Sequence, residues 1–223
     1  MSASPATGRS KGGTALKKCY LDTHRFSEDL DFTVIPGGPI LPDDLSPILE
    51  DVLRRTYEES GIDFGGRRPL MKAHPSGMYV EARVYYTGPR RAPLVASVRL
   101  DLSASERIVR PTVLRPISHQ YPDTLPAPAT VRAYALDEVF AEKIRAMGER
   151  GRPRDLYDII TLFRHPQLFT RAEVVRAVLL EKCNSKGVPL PTLDAIASAA
   201  TRAELVAEWT NMLGHQIPAL PPF

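Results

Sequence analysis

Gly12-Gly13-Thr14-Ala15-Leu16, followed by Arg25-Phe26-Ser27-Glu28-Asp29-Leu30-Asp31-Phe32, sets the order of the first elements. The glycine pair opens a short helix over Ala15 to Leu21, Asp22 to Glu28 is a polar loop, and Asp29 to Ile35 alternates as a strand. Side chains two apart on a strand share a face, so Asp29 and Asp31 project from one side while Leu30 and Phe32 enter the core. Two carboxylates held that close repel, and a hard divalent cation with oxygen ligands relieves the repulsion. A solvated strand face is the plain alternative for an isolated Asp-x-Asp. Gly12, Gly13 and Thr14 offer backbone N–H groups and a hydroxyl at a positive helix end, which suits the phosphates of a nucleotide. A Gly-Gly pair is also a simple flexible turn. Arg25 either reaches the same phosphates or stands on the surface.

Working outward, Pro36 to Pro39 end the strand, and Asp43 to Ser60 suits a helix with Leu45, Ile48, Leu49 and Leu53 in one stripe. Tyr79 to Tyr86 and Pro93 to Leu102 alternate as two strands joined by the turn-rich residues 87–91, which predicts a hairpin and a mixed or antiparallel sheet. Within the second strand, Arg99 and Asp101 oppose Val98, Leu100 and Leu102. If Asp101 shares the sheet face of Asp29 and Asp31, the three carboxylates would hold one or two Mg²⁺ ions that bridge nucleotide phosphates and activate an attacking oxygen. A solvent-facing pair of Asp101 with Arg99 fits the pattern equally well.

Residues 104–130 carry five of the 21 prolines and little periodicity, as expected of a crossover. Helices are predicted over Leu136 to Met147, Pro153 to Phe163, Arg171 to Lys182 and Leu193 to Leu213. The expected organisation is a flexible start over 1–11, a mixed-sheet lobe over 12–103, the crossover over 104–130, a helical lobe over 131–217 and a tail over 218–223.

In the first of those helices Leu136, Val139, Phe140, Ile144 and Met147 form the apolar stripe. Lys143 falls inside it, whereas Glu138 and Arg145 face away. Lysine is seldom buried without a partner, so Lys143 is predicted to meet a phosphate or a carboxylate; a snorkelling stem at the core edge is the alternative. Downstream, Gly151-Arg152-Pro153-Arg154-Asp155-Leu156-Tyr157-Asp158 begins a helix with proline at its first position. The helix dipole alone accounts for Asp155. Asp158 lacks that reason, and either acid is placed to orient Lys143 or to take a proton from an acceptor hydroxyl.

The composition excludes other classes. At 223 residues, 43% hydrophobic and 25% charged, the chain is globular rather than disordered or coiled-coil. No apolar window is long enough to span a membrane and the start lacks a signal-peptide core, so a cytoplasmic location is expected. Cys19 and Cys183 have no metal or redox spacing and are expected to be reduced thiols. Only seven of the 29 basic residues are lysine. Arginine is the better fork for phosphate, although a GC-rich genome enriches it too.

Together these motifs, with Glu142-Lys143-Ile144-Arg145-Ala146, resemble the AbiEii/AbiGii nucleotidyltransferase toxins, which include the mycobacterial MenT toxins. The resemblance implies an α/β fold: a polymerase-beta-like, mixed-sheet nucleotidyltransferase lobe followed by an all-helical C-terminal lobe. It implies a Mg²⁺-dependent enzyme of a type IV-like system with a cognate antitoxin, moving a nucleotide monophosphate from an NTP to the 3′ end of tRNA. Asp29 and Asp31 match the metal pair, Gly13 and Thr14 the nucleotide loop, Ser27 the serine before the pair and Lys143 the third-motif lysine. Asp155 or Asp158 matches the fourth-motif acid, and Asp101 fits the second. Arg90, Arg91, Arg107, Arg110, Arg150, Arg152 and Arg154 are the candidates for an RNA-facing surface. One departure is the short stretch before Gly12, where family members carry a helical segment. It leaves two alternatives to tRNA transfer: an inert, N-terminally truncated nucleotide- or antitoxin-binding remnant, or transfer to a protein hydroxyl.

Overall fold

Residues 7–22, 25–87, 96–122, 129–166 and 171–223 are described by the structure, a computed structural model. The chain divides into two compact units: residues 1–19, 28–106 and 114–133 form one, and residues 20–27, 107–113 and 134–223 the other.

The first unit is built on a seven-stranded sheet: β1 (Gly8–Lys11), β2 (Asp29–Val34), β3 (Leu70–Ala73), β4 (Tyr79–Tyr86), β5 (Ala96–Ser103), β6 (Val113–Pro116) and β7 (Thr130–Ala133), in the order β3-β4-β5-β2-β1-β7-β6. The sheet is mixed, as expected: β4 pairs β5 antiparallel, β2 pairs β5 parallel, and β1 pairs β2 antiparallel and β7 parallel. Two helices among the described residues belong to this unit, α1 (Gly12–Cys19) and α2 (Pro42–Ser60). Alternation works as the sequence indicates. Val80, Ala82 and Val84 of β4 are buried on the apolar face, and their backbone partners on β5 are Leu102, Leu100 and Val98.

Several boundaries differ from expectation. Gly8–Lys11, expected within the flexible start, is a strand between β2 and β7; residues 1–6 of that segment lie outside the described residues. GRSK has no hydrophobic alternation, and only two flanking strands make it a strand, through ladder hydrogen bonds that are indifferent to side chain. Likewise, β6 comes out of the segment expected as a crossover, and β7 runs from its last residue into the start of the expected helical lobe; both join the same sheet. The turn expected over 87–91 lies mostly outside the described residues. In α2 only Leu45 of the expected stripe is buried, and Ile48 is exposed.

The second unit contains α3 (Leu136–Arg150), α4 (Pro153–Phe163), α5 (Ala172–Lys186), α6 (Leu193–Ile196) and α7 (Ala199–Leu213). The single helix expected over 193–213 is two. Ser198 accepts the Thr201 N–H as a new N-cap, just as Thr192 accepts from Ala195. Trp209, Leu213 and Ile217 form a buried cluster against Leu156, Tyr157 and Leu220. Trp209 Nε1 donates to the Pro221 carbonyl at 2.8 Å and its ring meets Phe223 edge-on. The residues expected as a tail therefore pack on α7.

α3 is buried around more of its circumference than a single stripe requires. Glu138 is fully buried and Arg145 nearly so, against the expectation that both face away. The Glu138 carboxylate accepts the backbone N–H groups of Val109 and Arg110, at 2.9 and 2.8 Å, and lies 2.7 Å from Lys182 Nζ. Lys182 also donates to the Arg107 carbonyl at 2.6 Å. A carboxylate is tolerated there because its lone pairs are filled.

Candidate active site

In the sheet unit the site grows from register. Across the parallel β2–β5 pair Asp29 faces Arg99 and Asp31 faces Asp101, so all four side chains share one face. Pairings on either side extend the second row to Lys72, Glu81, Asp101, Asp31 and Lys11 across five strands. Acids occupy the middle of that row and lysines its ends.

Thr14 Oγ1 donates to the Asp29 carbonyl at 2.5 Å, which ties the first turn of α1 to β2. Gly12 has φ +71°, and a Cβ at that position would overlap the Asp31 carboxylate. Gly12 is thus required twice, for its left-handed backbone and for the close approach of the acid. Gly13 is buried at the same helix start.

Arg99 stands among the acids. Its Nη2 is 2.6 Å from Asp29 Oδ2 and 3.4 Å from Asp101 Oδ2. Burial works against the guanidinium, but Asp101 and Asp29 outweigh it and raise its affinity for the proton. Tyr79, not anticipated from the sequence, donates its hydroxyl to Asp101 Oδ1 at 2.7 Å. Burial and then the Asp101 hydrogen bond push the Tyr79 phenol above the usual tyrosine range. The parity of β4 is the signal that would have placed Tyr79 with Glu81 on this face.

No three acidic, histidine or cysteine side chains converge closely enough to hold a metal on their own among the described residues. The donor chemistry nevertheless fits a hard cation. Mg²⁺ is normally held by one or two carboxylates together with substrate phosphates, rather than by an all-protein cage.

The other predicted site residues lie in the helical unit. Gly151, at φ +54°, ends α3 and accommodates the reversal into α4. Lys143 Nζ is 2.7 Å from Asp158 Oδ2 and 3.5 Å from Asp155 Oδ1. Arg25, expected to reach phosphate or to lie on the surface, is buried. Its Nε and Nη2 grip Asp158 at 2.7 and 2.8 Å, and its Nη1 donates to Gln216 Oε1 and to the Phe26 carbonyl. Arg150 grips Asp155 through Nε and Nη2 at 2.7 and 3.0 Å. Three cations therefore meet two buried acids. Ser27 is half-buried in the same unit.

Gln216 and Lys182 were missed by sequence reasoning. For Lys182 the signal was present, because Val175, Val178, Leu179 and Lys182 repeat the lysine-in-stripe pattern of Lys143. Of the candidate RNA-facing arginines, Arg90 and Arg91 lie outside the described residues. Arg107 pairs with Glu181, Arg110 with Asp137 and Arg150 with Asp155.

A mixed sheet with a Gly-Gly-Thr helix start beside strand-borne acids, accompanied by a helical unit, defines a nucleotidyltransferase-type α/β protein. The family model for the nucleotidyl transferase AbiEii toxin of type IV toxin–antitoxin systems matches residues 11–223, and the chain belongs to that family. It is a nucleotidyltransferase toxin, for which the family implies an NTP substrate and a cognate antitoxin. Among solved structures it is similar to MenT4, a nucleotidyltransferase toxin from Mycobacterium tuberculosis H37Rv. Identity is 22% and the TM-score 0.56, over 91% of this chain and 74% of that one. No curated protein matches the chain. No helix among the described residues is long and apolar enough to cross a membrane.

Proposed function

We propose that the protein is a Mg²⁺-dependent enzyme that transfers a nucleotide monophosphate from an NTP to the 3′ end of tRNA, with pyrophosphate as the leaving group. The observation that carries the reading is the register that sets Asp29, Asp31 and Asp101 on one sheet face, with Asp31 against Gly12 at the start of α1. Asp29 and Asp31, with Asp101 beside them, would hold the cation, which supplies charge neutralisation on the phosphates. Gly12 and Gly13 present backbone to the nucleotide, and Thr14 fixes the helix start to β2. Lys143 is assigned the cationic contact to phosphate. Asp158, at the shorter distance and in the firmer grip, is assigned to hold it, with Asp155 second. Both acids are filled by cations, which supports orientation of Lys143 over proton abstraction. Arg25 is read as a member of that network through Asp158 rather than as a nucleotide ligand, and Ser27 keeps the nucleotide-side position that the family resemblance gives it.

Incubation with each labelled NTP, Mg²⁺, total tRNA and cell lysate tests the assignment. Label on tRNA that disappears with chelator is the expected result. Label on protein instead would move the acceptor to a protein hydroxyl, and no label with any NTP would defeat the reading.

A further inference from the structure

Arg99 holds its half-buried acids differently from the way Arg25 and Arg150 hold Asp158 and Asp155. Arg25 and Arg150 each use two nitrogens on one carboxylate. Arg99 instead splits one nitrogen, Nη2, between Asp29 and Asp101. Its Nε is buried and has no hydrogen-bond partner, so the fork is incompletely satisfied in this position, which costs free energy. The side chain is 39% exposed and has a path to solvent. These are the properties of a contact that is made on electrostatic grounds and is easily exchanged. Four acids, Asp29, Asp31, Asp101 and Glu81, lie on the face that Arg99 shares, and a cation among them relieves their mutual repulsion.

We infer that Arg99 is the built-in counter-cation of this site: its guanidinium holds the charge position between Asp29 and Asp101, and a divalent cation ligated by those carboxylates has to displace it. The inference rests on the metal role assigned to Asp29 under the proposed function. Arg99 is a positioning residue in this account. It occupies one oxygen of each carboxylate and lowers the affinity for a bare cation. A cation arriving with a nucleotide brings phosphate oxygens that the freed guanidinium can meet, so the device favours the metal–nucleotide complex over the metal alone.

Titration of the full chain with Mn²⁺ alone, followed by the electron paramagnetic resonance signal of the free ion, tests this without reference to activity. Arg99→Gln is expected to bind Mn²⁺ about fivefold more tightly than the unsubstituted chain, the order expected for releasing two partly exposed ion pairs. Arg99→Lys, which keeps the charge, should restore the weaker affinity, and Asp29→Asn should lose the site in either background. Thermal melts supply a second readout: Arg99→Gln should be less stable without metal and gain more from Mn²⁺ than the unsubstituted chain. Equal or weaker Mn²⁺ affinity in Arg99→Gln, with Asp29→Asn still abolishing binding, would overturn the inference and leave the metal role standing. No Mn²⁺ binding by any variant, with or without a non-hydrolysable NTP, would overturn both.

Discussion

Arg25 and Arg99 each face an aspartate, yet one belongs to a scaffold and the other to a site. In the helical unit the Arg25 fork and the Asp158 carboxylate are 3% and 0% exposed and bonded through both pairs of atoms. In the sheet unit Arg99 touches two acids through one nitrogen and stays partly in water. The desolvation cost of ions in the first setting is offset only while every partner is present. In the second, solvent screens the charges and partners can be exchanged at small cost. A buried, fully bonded ion pair fixes geometry, whereas an incompletely bonded, half-exposed one leaves room for a ligand.

The sharpest way to break this contrast is to remove one acid from each region. Asp158→Ala leaves Arg25 and Lys143 facing each other without their carboxylate, and should lower the urea-unfolding free energy by about 3–5 kcal/mol. Asp29→Asn should change it by less than about 1 kcal/mol and reduce nucleotide transfer by about a thousandfold, the rate equivalent of about 4 kcal/mol. Equal stability losses in the two variants would erase the distinction between scaffold and site.

A second test concerns how tightly the sheet site is drawn. Gly12→Ala forces a side chain into a left-handed backbone and into the Asp31 carboxylate, and should cost about 1–3 kcal/mol while also impairing nucleotide binding. An unfolding curve superimposable on that of the unsubstituted chain would mean that Asp31 is free to move away.

The smallest expected effect is the titration of Tyr79. Folding raises its proton affinity, so its contribution to stability is complete below the unfolded tyrosine value, about pH 10, and is lost as pH climbs from there towards the raised folded value. Between about pH 9 and about pH 11 the unsubstituted chain should lose more unfolding free energy than Tyr79→Phe. The difference should be under about 1 kcal/mol, because the hydroxyl is only partly buried. Identical slopes would remove Tyr79 from the acid cluster.

Much of the site was legible because strand parity is a short-range rule. The spacing of Asp29 and Asp31, and of Arg99 and Asp101, fixes their faces on any strand, and the expected hairpin appears as the β4–β5 pair. Lys143 was legible for a similar reason, since its place in an apolar stripe required a partner, and Asp155 and Asp158 supply one. The partners of Arg25 were not legible, because nothing near it in sequence shows that Asp158 and Gln216 close around it. Glu138 and Arg145 were misread because a helical wheel records one contact face, and α3 packs against both α4 and α5.

By itself, the sequence determined the local periodicities, the helix start at Gly12 to Thr14, the faces of the acids and the family to which the chain belongs. Only the tertiary structure decided that GRSK is a strand between β2 and β7, that β2 and β5 run parallel with Asp31 opposite Asp101, and that Arg99 rather than another residue fills the space between two aspartates. The physical reason is range. Dihedral preference and side-chain alternation act over a few residues and leave their mark on sequence, whereas strand order, register and ion pairing are set between segments whose meeting depends on the whole chain.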